Sequence, residues 1–213
     1  MAAGVGASLL FFHNRVMFIV IFITILVFWI IKKTFSTSKF DSTLDHGARL
    51  EVGWTIVPML ILIFLAIPSL RILYAMEESP RPAVSLKAIG RQWYWRYEIG
   101  QKSFESYLIP TNDLNIGSPR LLAADAFVAL PLGSDSRILS LGGDVIHSFA
   151  VPSLAIKSDA IPGRLNQSAL NPLRAGTFFG QCSEICGADH SFMPINIKIM
   201  SMTSYLNWYN SLD

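Results

Sequence analysis

Two long apolar runs open the chain, and everything after them alternates on a much shorter period. The first run covers residues 16–31, with Thr24 its only polar member, and residues 9–12 extend it backwards. From 9 to 31 the stretch is 23 residues long. At ~1.5 Å rise per residue it crosses a hydrocarbon core of ~30 Å with room to tilt. His13, Asn14 and Arg15 stand near one end, where they can snorkel to an interface, and Lys32 and Lys33 close the other. The second run covers 52–70 and holds Pro58 and Pro68, which membrane helices tolerate better than soluble ones. Trp29 and Trp54 fall towards one side, as interfacial aromatics often do. The pattern predicts a transmembrane hairpin over 1–76, with helices at about 9–33 and 51–76 and an inner loop at 34–50. A cleaved signal peptide is the competing reading of the first run. It needs small residues at a cleavage site, and Lys32-Lys33-Thr34-Phe35 stands there instead.

The region between the runs carries Lys32, Lys33, Lys39 and Arg49. The positive-inside rule places it in the cytoplasm or matrix, and both termini on the opposite side. Residues 77–83 read as a connector, and the periodicity then changes. Strands are predicted at 84–89, 92–99, 127–130, 137–141, 145–151, 177–181 and 195–200, separated by Gly and Pro. Short strands with frequent breakers predict a small β-sandwich or barrel over 84–213. The fold class is therefore α + β: a two-helix anchor followed by a β-domain.

Composition agrees with a membrane protein. The 213 residues are 52% hydrophobic and 15% charged, against about 25% charged in soluble domains, and the mean hydropathy is +0.43. The net charge is +2, with no basic stripe, so nucleic acid is excluded as a partner. Beyond residue 70 the charges balance, so a charged partner must be met by a local patch.

Only two cysteines are present, Cys182 and Cys186. They begin a segment that also contains His190 and Met193, four soft or borderline donors within twelve residues. Thiolate, imidazole and thioether together select copper over hard cations, whereas a zinc site has little use for Met. His147, in a predicted strand, is the only other His beyond the apolar runs. The bland readings are a Cys182–Cys186 disulfide, a core methionine and a satisfied core histidine.

The segment Gly180-Gln-Cys-Ser-Glu-Ile-Cys-Gly-x-x-His-Ser-Phe-Met-Pro194 resembles the binuclear copper (CuA) motif of the cytochrome c oxidase subunit II family. The blocks Ile67-Pro-Ser-Leu-Arg-Ile-Leu-Tyr74, Gln92-Trp-Tyr-Trp95, Val151-Pro-Ser-Leu154 and Asp159-Ala-Ile-Pro-Gly-Arg-Leu-Asn-Gln167 match the family in the same order. The resemblance covers nearly the whole chain from residue 9. It implies a cupredoxin-like Greek-key β-barrel. Cys182 and Cys186 would bridge two coppers, and His147 and His190 would each bind one. Met193 would be a weak ligand to one copper and the Glu184 carbonyl to the other. The Glu184 side chain would bind magnesium shared with subunit I, the haem-bearing subunit. Trp93 resembles the family's aromatic at which electrons are accepted from cytochrome c. Asp144, Asp125, Asp159, Glu98 and Glu105 are candidates for the acidic docking surface around it. Glu51 resembles an acid at the inner mouth of a proton path.

The implied function is to accept electrons from cytochrome c and pass them to haem in subunit I, supporting oxygen reduction and proton pumping. No haem-ligand pattern stands in this chain. The short N-terminus resembles mitochondrially encoded members, which places the chain in the mitochondrial inner membrane, or in a bacterial plasma membrane as the alternative. Two departures weaken the acidic docking patch: the short Gly100-Gln-Lys-Ser103, and Gly143 where a second acid is frequent. Alternatives from other classes are the quinol oxidase subunit II, which lacks the copper ligands, and a membrane-anchored copper-binding or assembly module without electron relay.

Overall fold

The computed structural model describes residues 4–37, 46–77 and 81–212. Residues 38–45 of the expected inner loop, Lys39 among them, and 78–80 of the expected connector lie outside the described residues. The chain divides into a helical unit, Ser8–Tyr74, and a second unit, Ala75–Asp213 with Met1–Ala7.

The helical unit is built from α1 (Gly4–Ser36) and α2 (Ala48–Glu77). Both extend past the predicted limits, because helical backbone continues through the polar flanks that the apolar runs do not register. Their apolar side chains face outwards on all sides, which suits a lipid solvent and no aqueous one. Two hydroxyls inside them are satisfied locally: Thr24 Oγ1 donates to the Val20 carbonyl and Thr55 Oγ1 to the Glu51 carbonyl, each at 2.8 Å.

The second unit is a sandwich of two five-stranded sheets. One sheet has the order β3-β2-β1-β5-β8, with β1 (Val84–Arg91), β2 (Tyr94–Ile99), β3 (Lys102–Ser106), β5 (Ser136–Gly142) and β8 (Asn166–Leu170). The other has the order β4-β10-β9-β6-β7, with β4 (Val128–Pro131), β6 (His147–Val151), β7 (Ile156–Ala160), β9 (Gly176–Cys182) and β10 (Pro194–Met200). Two pairings are parallel, β1 with β5 and β4 with β10. The core between the sheets contains Leu86, Trp95, Tyr97, Ile138, Phe149, Ile195 and Ile197, all fully buried. A final helix, α3 (Met202–Ser211), begins where the Ser201 hydroxyl accepts the Ser204 N–H. Its Trp208 stacks on Phe127 and meets Phe104 edge-on.

The fold class is that predicted, with differences in detail. Strands β3, β7 and β8 and helix α3 were not predicted. In β7 the inward positions are Ile156, Ser158 and Ala160, and two small or polar residues do not register as an apolar face. The strand expected at 92–99 starts at Tyr94, because Gln92 and Trp93 form the turn that joins β1 to β2. The strand expected at 145–151 starts at His147.

Candidate metal centre

Two segments build the centre. Strand β6 supplies His147 at its first residue, paired across to Ala160 of β7. The last residue of β9 is Cys182, and the loop from there to β10 supplies Glu184, Cys186, His190 and Met193. Strand β9 lies beside β6, with Phe149 opposite Cys182, and that pairing brings the loop to His147. His147 and Met193 are fully buried, and Cys182 and Cys186 are 6% and 5% exposed.

The donors lie at ligand spacing. His147 Nδ1 is 3.8 Å from Cys182 Sγ, and His190 Nδ1 is 3.5 Å from Cys186 Sγ. The two sulfurs are 3.9 Å apart, and both cysteines are free. Met193 Sδ is 3.7 Å from Cys186 Sγ, and the Glu184 carbonyl is 3.4 Å from Cys182 Sγ. Two donors held ~2.0–2.3 Å from one tetrahedral ion sit roughly 3.3–3.8 Å apart, so these spacings fit donors that share metal. Among the His, Cys, Asp and Glu side chains of the described residues, His147, Cys182 and Cys186 form a group compact enough for a single ion, and His190 stands outside it.

The surroundings hold the ligands in place. His147 Nε2–H donates to Asp144 Oδ1 at 2.8 Å, which leaves Nδ1 as the ring nitrogen turned towards Cys182 and available to a metal. Asp144 also accepts the Gln92 N–H at 2.8 Å and the Val145 N–H at 2.6 Å. Burial pushes the Asp144 carboxyl up, but these three hydrogen bonds outweigh it and hold the carboxyl below its usual range. Strand β1 runs under the His147 ring, and a Cβ on Gly90 would lie 2.7 Å from His147 Cγ. Trp95 Nε1–H donates to the Met193 carbonyl at 3.3 Å, and its ring meets His147 and Phe149 edge-on.

The thiols are electrostatically unequal. Burial raises Cys182, but hydrogen bonding from His147 and neighbouring groups outweighs it and brings the thiol down to about 6. Burial and the adjacent Cys182 charge push Cys186 up to about 12. In the metal-free pair Cys182 therefore gives up its proton more readily than Cys186.

The transmembrane domain of cytochrome c oxidase subunit II matches residues 2–72 of this chain, and the periplasmic domain of the same subunit matches residues 84–200. The chain belongs to the cytochrome c oxidase subunit II family. The chain is 51% identical to cytochrome c oxidase subunit 2 of Metridium senile, over 97% of this chain and 86% of that one. It is 50% identical to the subunit of Ctenocephalides felis, over 96% and 91%. Among solved structures, the periplasmic domain of subunit II from Bradyrhizobium japonicum is 39% identical with a TM-score of 0.59, over 63% of this chain and 96% of that one. Another is subunit II held as a mixed-disulfide intermediate with a thioredoxin-like protein, 38% identical with a TM-score of 0.54, over 63% and 93%.

The other expected site residues scatter more widely. Trp93 lies in the β1–β2 turn, half-buried, and its Nε1 has no hydrogen-bond partner among the described residues. Glu105 accepts from the Tyr107 hydroxyl, Asp125 accepts the Tyr107 N–H, and Tyr107 stacks on Tyr94 at 4.7 Å. That places Glu105 and Asp125 around the residue after Trp93. Glu98 lies four residues along β2 from Tyr94, some ~13 Å away, and is paired with Lys87 at 3.0 Å. Asp159 accepts from the Ser148 hydroxyl. Glu51 accepts the Gly47 N–H at the start of α2, a helix-start contact. Gly90, Gln92 and Gly187 were missed at the sequence level, because what they contribute is close approach and hydrogen bonding across the fold.

Proposed function

We propose that this chain is the electron-accepting subunit of a haem–copper oxidase, with a binuclear copper centre held by His147, Cys182, Glu184 (carbonyl), Cys186, His190 and Met193. The observation that carries the reading is the gathering of four further donors around two free cysteine sulfurs 3.9 Å apart. His147 Nδ1 and the Glu184 carbonyl lie within 3.8 Å of Cys182 Sγ, and His190 Nδ1 and Met193 Sδ within 3.7 Å of Cys186 Sγ. Six donors are too many for one tetrahedral ion. A copper pair held by these residues would supply one-electron chemistry, with the charge change shared over both metals.

The protein's own part is to fix and shield. Asp144 sets the His147 tautomer, Trp95 anchors the Met193 backbone, and the closed core keeps water from the sulfurs. A full donor set leaves no open position for substrate, which suits a relay and not a catalytic metal. Trp93 would receive the electron from cytochrome c, docked on a surface to which Asp144, Asp125 and Glu105 contribute more directly than Glu98 or Asp159. The Glu184 carboxylate would hold magnesium with subunit I, and Glu51 would collect protons at the inner face. The membrane is the mitochondrial inner membrane, with the copper domain on the intermembrane-space side; the mitochondrial-type relatives and the Lys32, Lys33 and Arg49 bias support this.

The test is a metal count on the purified oxidase with a spectrum of the same sample. Two coppers in this chain with a delocalised mixed-valence signal are expected. One copper with a blue-type spectrum would refute the binuclear reading.

A further inference from the structure

The β1–β2 connection is a two-residue hairpin turn with neither Asn nor Gly at its centre. Such turns normally rely on those residues. Here the turn is Gln92-Trp93, between paired Arg91 and Tyr94, and it is held from outside by both ligand-bearing segments. The Gln92 N–H donates to Asp144 at 2.8 Å, and Asp144 in turn holds His147. The Gln92 side-chain Nε2–H donates to the Cys186 carbonyl at 2.8 Å. A carbonyl only accepts, so the amide nitrogen must face it.

Trp93 has no polar anchor of its own, since its Nε1 is buried without a partner. Its ring edge lies instead on the peptide after Cys186. A Cβ on Gly187 would come within 3.0 Å of Trp93 Cζ2 and 3.1 Å of Gln92 Nε2. Gly187 also has φ +126°, where a side chain is strained. The bare backbone at Gly187 is what lets the indole reach this close.

We propose that Gln92 is a positioning residue for electron acceptance: its side-chain amide pins Trp93 against the Cys186–Gly187 backbone, while its backbone N–H ties the same turn to Asp144 behind His147. This rests on the electron-relay reading above. The step it serves moves one electron and no atoms; the docked donor is oxidised, the centre is reduced, and no proton changes hands at Gln92.

The experiment uses the whole oxidase and flash-induced injection from a photosensitiser-labelled cytochrome c, which reads the rate inside the docked complex. Gln92→Leu is expected to slow that rate roughly fivefold, the factor one ordinary hydrogen bond contributes to holding a reacting geometry. Gln92→Glu, equal in length but without an N–H to give, should slow it similarly. Copper count, mixed-valence spectrum and the KM for cytochrome c should stay at wild-type values, and amide exchange at residues 91–94 should quicken. An unchanged injection rate in both variants overturns the proposal. So does a loss of copper or a changed spectrum, which would make Gln92 merely structural. Trp93→Leu separates the two levels. If it too leaves injection unchanged, the electron-accepting role of Trp93 itself fails; if it alone slows injection, only the clamp fails.

Discussion

Replacing Gly90 by Ala probes the centre without touching a ligand. A Cβ there would stand 2.7 Å from His147 Cγ and 2.8 Å from both Cβ and Cδ2. Carbon atoms in contact prefer ~3.5–4.0 Å, so ring and strand must separate by about 1 Å. Neither side yields easily. His147 is fully buried in β6, its ring meets Trp95, and its Nε2 is tied to Asp144. Metal–ligand distances in well-formed sites fall within about 0.2 Å of their usual values, so a shift of that ring is large on the scale of the site. The expected result is overpacking that costs about 1–3 kcal/mol of domain stability, with copper loss out of proportion to it. The assay is copper per chain in the purified oxidase, with the mixed-valence spectrum and a denaturant midpoint from the same preparation. Gly53→Ala in α2 is the control, because a Cβ there meets nothing within 4 Å. Full copper with an unshifted spectrum in Gly90→Ala would refute the reasoning that β1 sets the position of His147.

Two further outcomes are expected. Asp144→Asn keeps the shape but removes the charge that holds the His147 tautomer, so copper affinity should fall by about 10–100-fold. Competition against a copper chelator measures this, and an unchanged affinity would count against the positioning role. In the metal-free chain, the ultraviolet absorbance of thiolate should rise with pH in two steps, one thiol ionising through about 6 and the other only towards about 12. The sign follows from the hydrogen bonds that favour the Cys182 anion, which in turn repels charge from Cys186. Both thiols rising together near the ordinary cysteine value would contradict it.

Much of this was legible in the residues themselves. The apolar runs named both helices, since a length of apolar residues needs no partner to be recognised. The clustering of Cys182, Cys186, His190 and Met193 was visible because all four fall within twelve residues of sequence. His147 could be named from its residue type, but its place in the centre depends on β6 lying beside β9. Strand β8, with a single fully buried position at Leu170, left almost no apolar trace. The acidic candidates were least legible. From the sequence Asp144 reads only as a docking charge; the structure adds that its oxygens accept from Gln92, Val145 and His147, and that Glu98 is matched by Lys87. Neither arrangement leaves a mark in the order of the residues.

The distribution of donors between one strand and one loop also governs how metal binding couples to folding. The donors after β9 are neighbours along the chain and are present together before any sheet exists, so the unfolded polypeptide already has some hold on a soft ion. Binding to the unfolded state subtracts from the stability that a metal confers. What the native state adds is His147, delivered only when β6 and β9 are side by side with Gly90 beneath and Asp144 behind. Copper should therefore stabilise this domain by less than its full binding free energy, and the difference between the two measures how much of the site the loop assembles unaided.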